Sequence, residues 1–230
     1  MSVAKLISKS LMEFYEQVKA DPNGRYVSWE HCYIEFSNAR NNPNVNIDML
    51  SLHLAFYLAS WGMYRGSSFL LQKDYMVHKP VVEEILKAKY NPLFGIECSM
   101  FRKCENQVLL KELNSFLEVY YDGIRRGVKG SSLQNKLSDV LISKILMGTL
   151  GCVPAYDRYF VAGIKRDKVA TGIYNINSLI KLVNFYELNY EEFESIRKQM
   201  IVGNIIYPQM KLIDMGFWQI GYEMDQKNDI

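Results

Sequence analysis

Apolar residues recur every three to four positions along most of the chain, the spacing that places side chains on one face of an α-helix. In residues 3–19 this stripe consists of Leu6, Ile7, Leu11, Phe14, Tyr15 and Val18. Turn sequences such as Asp21-Pro22-Asn23-Gly24 separate the helical stretches. The same period predicts further helices at 28–41, 48–61, 80–89, 104–121, 131–147, 155–164, 178–188, 190–201 and 208–220.

We therefore predict an all-α protein, an irregular globular domain of about nine to eleven helices. Residues 1–224 would form this single domain and residues 225–230 a frayed tail. Alternation typical of a β-strand is confined to a short stretch at 169–176. A loop rich in glycine and basic residues is expected at 122–130, followed by a helix that Ser131 or Ser132 caps.

The composition agrees with a soluble protein that has a sizeable core. Hydrophobic residues make up 49% of the 230 positions and charged residues 23%. A net charge of +2 favours neither nucleic acid nor its exclusion, because steering depends on how charges cluster. The longest apolar run, 50–63, is interrupted by His53 and too short to span a bilayer. Lys5 and Lys9 interrupt any apolar segment at the beginning of the sequence, so we expect a cytoplasmic protein without a signal peptide or membrane contact.

The cysteines and histidines do not have the spacing of a metal site. The four cysteines are scattered, and none forms a C-x-x-C pair: Cys32, Cys98, Cys104 and Cys152. We predict reduced thiols, no bound metal and no cofactor.

The most informative stretch of the chain is 148–160. Glycines interrupt a helical pattern there, and Pro154 precedes a new helix whose first turn would contain Tyr156, Asp157 and Arg158. Asp157 is well placed to cap the unpaired amides of this helix. Because the flanks at 152–153 and 160–161 are apolar, this polar triplet should be half-buried and its charges partnered.

A second candidate site lies at 60–71, where Gly62 and Gly66 bracket Arg65 and Ser67-Ser68 can cap the following turn. Glycines permit close approach of a ligand, and a guanidinium beside a helix start suits a carboxylate or phosphate. We expect the Arg65 guanidinium to be partly buried. Alternatively, Arg65 pairs internally and the glycines serve tight helix crossing.

A polar ladder leads into this segment, since His53, Tyr57, Ser60 and Tyr64 share one helical face. It could line a cleft, or His53 could be a hydrogen-bonded core residue. The predicted ligand-binding set is His53, Tyr57, Trp61, Tyr64, Arg65, Ser67, Tyr156, Asp157 and Arg158.

Two basic clusters could form a positive rim around the turn at 156–158. They comprise Arg125, Arg126 and Lys129, and Lys165, Arg166 and Lys168. Such a rim would suit a phosphate backbone and predicts weak nucleic acid contact. Solvated loops commonly carry clusters of this kind without any partner.

Motifs of nucleophilic or metal-dependent catalysis are absent, including G-x-S-x-G and H-E-x-x-H. Whether the chain is an enzyme is left open by the residues themselves.

Two blocks, 52–72 and 144–160, resemble segments of a bacterial family of helical proteins of unassigned function, which implies neither activity nor ligand. Residues 143–157 are also faintly similar to the helix-hairpin-helix DNA glycosylases. Ser143-Lys144, Val153-Pro154 and Asp157 follow that family's order of lysine, proline turn and helix-starting aspartate. The resemblance implies Asp157 as the catalytic carboxylate and Lys144 as nucleophile. The family's L-P-G-x-G hairpin is absent.

Three functions follow from these observations. The first is a helical protein with an anion or small-ligand site between the turns at 61–68 and 156–158. The second is a DNA-binding protein related to the helix-hairpin-helix glycosylases. The third is an interaction module whose aromatic surface forms an oligomer.

Overall fold

The computed structural model describes residues 2–40, 42–128 and 137–228. Over these ranges the all-α prediction is confirmed, with eleven α-helices, four short 3-10 helices and one small hairpin. The α-helices are α1 (Val3–Ala20), α2 (Ser28–Arg40), α3 (Ile47–Ser60), α4 (Lys79–Ile85), α5 (Cys98–Phe101), α6 (Cys104–Arg126), α7 (Asp139–Thr149), α8 (Arg158–Arg166), α9 (Ile176–Leu188), α10 (Tyr190–Arg197) and α11 (Gln209–Asn228). The 3-10 helices are Arg25–Val27, Phe69–Gln72, Tyr75–His78 and Ala88–Leu93.

Two segments of the chain, 141–156 and 207–221, are buried at every residue. They contain most of α7 and of α11, and a helix that is buried all round belongs to the centre of a core. Helix α11 packs against α1 and α8, while α7 packs against α2 and α3. The buried apolar side chains form one cluster that extends along the chain from Ile7 to Ile220.

Helices α8 and α11 cross closely because each supplies a glycine to the crossing. A Cβ on Gly163 would overlap the carbonyl oxygen of Phe217, and a Cβ on Gly221 would overlap that of Tyr159. The contact brings Trp218 of α11 to the beginning of α8, where its indole approaches Asp157.

Several predicted helix boundaries are wrong. Helix α8 begins at Arg158 rather than at 155, and Asp157 is its N-cap residue. Helix α7 begins at Asp139 behind Ser138, whereas Ser131 and Ser132 lie outside the described residues. The predicted loop at 122–130 is helical up to Arg126. Asp122 stabilises that last turn of α6 by pairing with arginines three and four residues further on.

The secondary structure of residues 169–228 also differs from the prediction. The hairpin of β1 (Ile201–Val202) and β2 (Ile205–Ile206) lies where a helix end was predicted, and 169–176 forms no strand. Gly203-Asn204 between two short apolar pairs is a hairpin signal. Helix α11 continues to Asn228, whereas the helix was predicted to end near 220. Asp225 of α11 forms an ion pair with Arg158 of α8.

Within the described ranges, no helix combines the length and apolar character needed to cross a membrane. The four cysteines are free thiols, three of them buried and Cys104 exposed.

Replacing Gly163 by alanine should lower the free energy of unfolding by about 1–3 kcal/mol, because the added methyl group overpacks the crossing with α11. The matched control is Gly123→Ala in α6, where an added Cβ meets no atom within 4 Å. Alanine has a higher helix propensity than glycine, so Gly123→Ala should stabilise the protein by up to about 1 kcal/mol. Chemical denaturation of both variants measures the difference, and equal effects would contradict the tight crossing.

Candidate functional site

A cavity of about 360 Å³ opens between the end of α3 and the beginning of α8. The segments 61–65, 138–144 and 157–159 form most of its wall, and α11 completes it. The lining residues are Arg25, Trp61, Gly62, Met63, Arg65, Ser138, Val140, Lys144, Asp157, Arg158, Tyr159 and Trp218. The cavity therefore lies between the two turns that the sequence indicated.

Asp157 is held by four donors at the floor of this cavity. Its Oδ1 accepts hydrogen bonds from the backbone amides of Tyr159 and Phe160, both at 3.1 Å. Its Oδ2 accepts the indole N–H of Trp218 at 3.2 Å and lies 3.4 Å from Lys144 Nζ. The predicted capping role is confirmed, and the carboxylate is at the same time the counter-ion of a buried lysine.

Lys144 is the buried partner in this pair, with only 5% of its surface exposed. Its Nζ donates to the carbonyl oxygen of Trp61 at 2.7 Å, where the end of α3 leaves carbonyl groups without helical partners. Burial lowers the pKa of the Lys144 ammonium, and Asp157 opposes this effect. The ammonium therefore has two oxygen partners, the Trp61 carbonyl and the Asp157 carboxylate.

Four of the nine predicted ligand-binding residues line the cavity: Trp61, Arg65, Asp157 and Arg158. Arg65 is exposed, which corrects the prediction of a partly buried guanidinium. Gly62, at φ +78°, lets this guanidinium lie against the backbone, since a Cβ there would be 2.9 Å from Arg65 Nε. Among the described residues, Arg65 has neither a hydrogen-bond partner for its side chain nor an ion pair.

The polar ladder does not line the cavity. Helix α3 ends at Ser60, so Tyr64 lies beyond it, and Tyr57 is buried beneath Gly148 of α7. The Tyr64 hydroxyl instead bonds to Nε2 of His78 at 2.7 Å, and Nδ1 of this histidine bonds to the Tyr121 hydroxyl at 2.6 Å. Burial lowers the pKa of His78 to about 4, which keeps its ring neutral.

The remaining predicted ligand residues also lie away from the wall. Tyr156 is buried, and its hydroxyl donates to Ser178 Oγ at 3.0 Å. Its backbone amide donates to Ser143 Oγ at 3.0 Å, which anchors the turn before Asp157. His53 is half-buried and Ser67 exposed, and neither contributes to the cavity.

The five described residues of the basic clusters take no part in this cavity either. Arg125 and Arg126 both pair with Asp122, at 2.6 and 2.7 Å. Arg166 pairs with its neighbour Asp167 at 2.9 Å. Lys165 lies in the last turn of α8 beside Arg166, and Lys168 follows the end of this helix with φ +55°. Lys129 lies outside the described residues. The rim of positive charge stays a prediction, with three of its arginines partly neutralised by adjacent carboxylates.

Sequence reasoning did not identify Arg25, Tyr159 and Trp218 as part of the site. A signal for Trp218 exists, because Lys211, Asp214 and Trp218 recur at i, i+3 and i+7 within the otherwise apolar stretch 210–218. Charged residues in such a helix must be buried with partners or shielded at a site. Lys144 entered the predictions only through its resemblance to a glycosylase lysine.

Over the part of the chain that the structure describes, no group of three or more His, Cys, Asp or Glu side chains could hold a metal ion. No family model, no curated protein and no solved structure matches this chain.

Replacing Asp157 by asparagine should cost far more stability than its capping role suggests. Asparagine caps a helix as well as aspartate, but it would leave the Lys144 ammonium buried without its counter-ion. Breaking a buried pair in this way costs up to about 3–5 kcal/mol. The double variant Lys144→Met/Asp157→Asn should recover much of this loss in thermal and chemical denaturation.

The control for this prediction is Asp74→Asn, an exposed cap whose carboxylate accepts the Met76 amide at 2.7 Å. It should change stability by less than about 0.5 kcal/mol. If Asp157→Asn is as mild as Asp74→Asn, the contact between Lys144 and Asp157 contributes no ion pair.

Proposed function

We propose that this cavity binds an anionic small ligand, with a phosphate group as the best-fitting anion. The observation that carries the proposal is the excess of positive charge in the wall: four cationic side chains face one carboxylate. These cations are Arg25, Arg65, Arg158 and Lys144. Asp157 already contacts Lys144 and Trp218, so a single carboxylate in the wall is set against the charge of four cations.

Arg65 is the first candidate for the anion contact. Its guanidinium is exposed at the cavity and has no carboxylate partner among the described residues, so binding an anion breaks no existing ion pair. Arg158 pairs with Asp225 at 3.0 Å, but its side chain is 68% exposed. An exposed pair of this kind contributes little to stability and gives way to a phosphate at little cost. Arginine binds phosphate with two parallel hydrogen bonds.

The aromatic side chains of the wall favour a ligand with a planar organic part. Trp61, Tyr159 and Trp218 line the same cavity as the arginines. Their rings pack edge to face, with Trp218 centred 5.8 Å from Trp61 and 5.3 Å from Tyr159. Aromatic walls with a few charged groups are typical of small-molecule sites. A nucleoside monophosphate combines both features and is the ligand class that we would test first.

Arg65→Gln should weaken phosphate binding roughly tenfold or more, because a hydrogen bond to a charged group contributes about 1.5–3 kcal/mol. Isothermal titration with inorganic phosphate, a nucleoside monophosphate and the corresponding nucleoside measures this effect. The monophosphate should bind most tightly and the nucleoside most weakly.

The matched control is Arg102→Gln, which removes an exposed arginine outside the cavity wall. Its phosphate affinity should equal that of the wild type. Equal loss in both variants would mean that phosphate responds only to net charge, and no binding to the wild type would refute the proposal.

A second candidate function is glycosylase-like action on DNA, and the contact between Lys144 and Asp157 favours it. The two residues implied by the resemblance lie 3.4 Å apart at the floor of an open cavity. A lysine whose pKa is lowered by burial has a larger neutral fraction, which is the nucleophilic form. Its amine would attack C1′ of a deoxyribose while the C1′–N bond breaks and the base leaves with its electron pair. The adjacent carboxylate would stabilise the positive charge that develops on the sugar.

This candidate predicts an imine between Lys144 and the sugar after the amine has lost its protons and the ring has opened. Borohydride added to the protein with damaged-base duplexes should then trap a covalent adduct. The adduct should be absent in Lys144→Met and present in the control Lys87→Met, whose side chain is exposed and remote from the wall. No adduct with wild type on any of the tested lesions would reject this candidate and leave anion binding unaffected.

A further inference from the structure

Helix α11 carries three side chains with polar groups on the face that includes Trp218, a residue of the cavity wall. Lys211, Asp214 and Trp218 lie at i, i+3 and i+7 and therefore on one face. Lys211 and Asp214 are almost fully buried, with 3% and 4% of their surfaces exposed, and Nζ lies 3.0 Å from Oδ2. Trp218 already belongs to the site through its bond to Asp157. The two charged residues have no direct contact with the cavity.

Asp214 holds the turn that precedes Asp157. Its Oδ1 accepts the backbone amide of Ala155 at 2.9 Å, two residues before the cap of α8. Ser143 of α7 accepts the next amide, that of Tyr156. The turn is therefore hydrogen-bonded to both α7 and α11, and these two bonds hold the residues that lead into Asp157.

Lys211 supports the other side of the site. Its ammonium lies 4.9 Å from the ring centroid of Trp29 and 5.5 Å from that of Trp61, within the range of cation–π attraction. Trp61 in turn accepts the hydrogen bond from Lys144. One buried ion pair thus contacts both the turn that supplies the carboxylate and the residue that supplies the acceptor.

We infer that Asp214, held in place by Lys211, is a positioning residue for the Lys144–Asp157 pair. It fixes the turn that carries Asp157 and places a second negative charge near the Lys144 ammonium. The inference deepens the proposed function and rests on it for its consequence in ligand binding.

Charged and titratable groups from several elements surround Lys144. Asp157 and Asp214 both raise the pKa of Lys144, whereas burial and Arg65 lower it. Arg25 and Arg158 line the same cavity. Tyr57 of α3 stays neutral, because burial and the two carboxylates raise the pKa of its phenol. Burial raises the pKa of Asp214 as well, and Lys211 opposes this.

A merely structural role predicts a different behaviour. Buried ion pairs are weak contributors to stability, and well-packed apolar replacements are often neutral. If Lys211 and Asp214 serve only the core, changing them will alter unfolding without altering Lys144.

The test follows Lys144 in the full-length chain by competitive acetylation with mass spectrometry over the pH range in which lysine titrates. In Asp214→Asn, the ratio of neutral to charged Lys144 at a given pH should rise roughly tenfold, because loss of a nearby negative charge lowers the pKa of the ammonium. Hydrogen exchange of the Trp218 indole N–H with solvent, followed by NMR, should accelerate as Asp157 loses its position. The matched control is Glu84→Gln, since Glu84 is also buried and has a lysine three residues further on. That control should change neither readout.

The double variant Lys211→Met/Asp214→Leu preserves the test if Asp214→Asn does not fold. It leaves no unpaired charge but releases the Ala155 amide, so indole exchange should again accelerate. A folded variant in which both the Lys144 titration and the indole exchange match the wild type overturns the inference. Failure of wild type to bind phosphate would instead refute only the proposed function.

Discussion

The arrangement of the cavity depends on one buried ammonium group. Lys144 joins the end of α3, through the Trp61 carbonyl, to the beginning of α8, through Asp157. A buried charge is tolerated only with partners close by, so this requirement determines where both helix ends lie. The cavity between the two turns is the space that remains above the contact.

The second buried pair makes the floor of the site unusually rich in charge for a protein core. Lys211 and Asp214 lie on the fully buried part of α11, and Lys144 lies on the fully buried part of α7. In a medium of low polarity, charges influence one another more strongly than at the surface. Because ion pairs of this kind add little to stability, their concentration beneath one cavity is better explained by the needs of a site. That reasoning supports both the anion-binding proposal and the role inferred for Asp214.

The glycines of α8 and α11 make this arrangement geometrically possible. With side chains at Gly163 and Gly221, the two helices would separate. The Trp218 indole would then no longer reach Asp157, which it contacts at 3.2 Å. Close packing of two helices and the polar contacts of the site are therefore parts of one arrangement.

The sequence by itself determined the helical class and the two turns of the site. The period of apolar residues is a local property, and so is the capping tendency of Asp157 behind Pro154. Both could be inferred without coordinates. The bracketing of Arg65 by glycines also pointed to a turn that lines the cavity, although the guanidinium proved to be exposed.

Only the tertiary structure decided which distant residues complete the site. Trp218 and Asp157 are separated by 61 positions in the chain, and Lys144 and Trp61 by 83. No local pattern states which helices will cross or which face of a fully buried helix meets a cavity. The same limit explains why Tyr57 and Tyr64 do not line the cavity, because a shared helical face does not say whether it meets a cavity or the core. The local sequence determined the helices, and the packing between helices determined which side chains meet at the site.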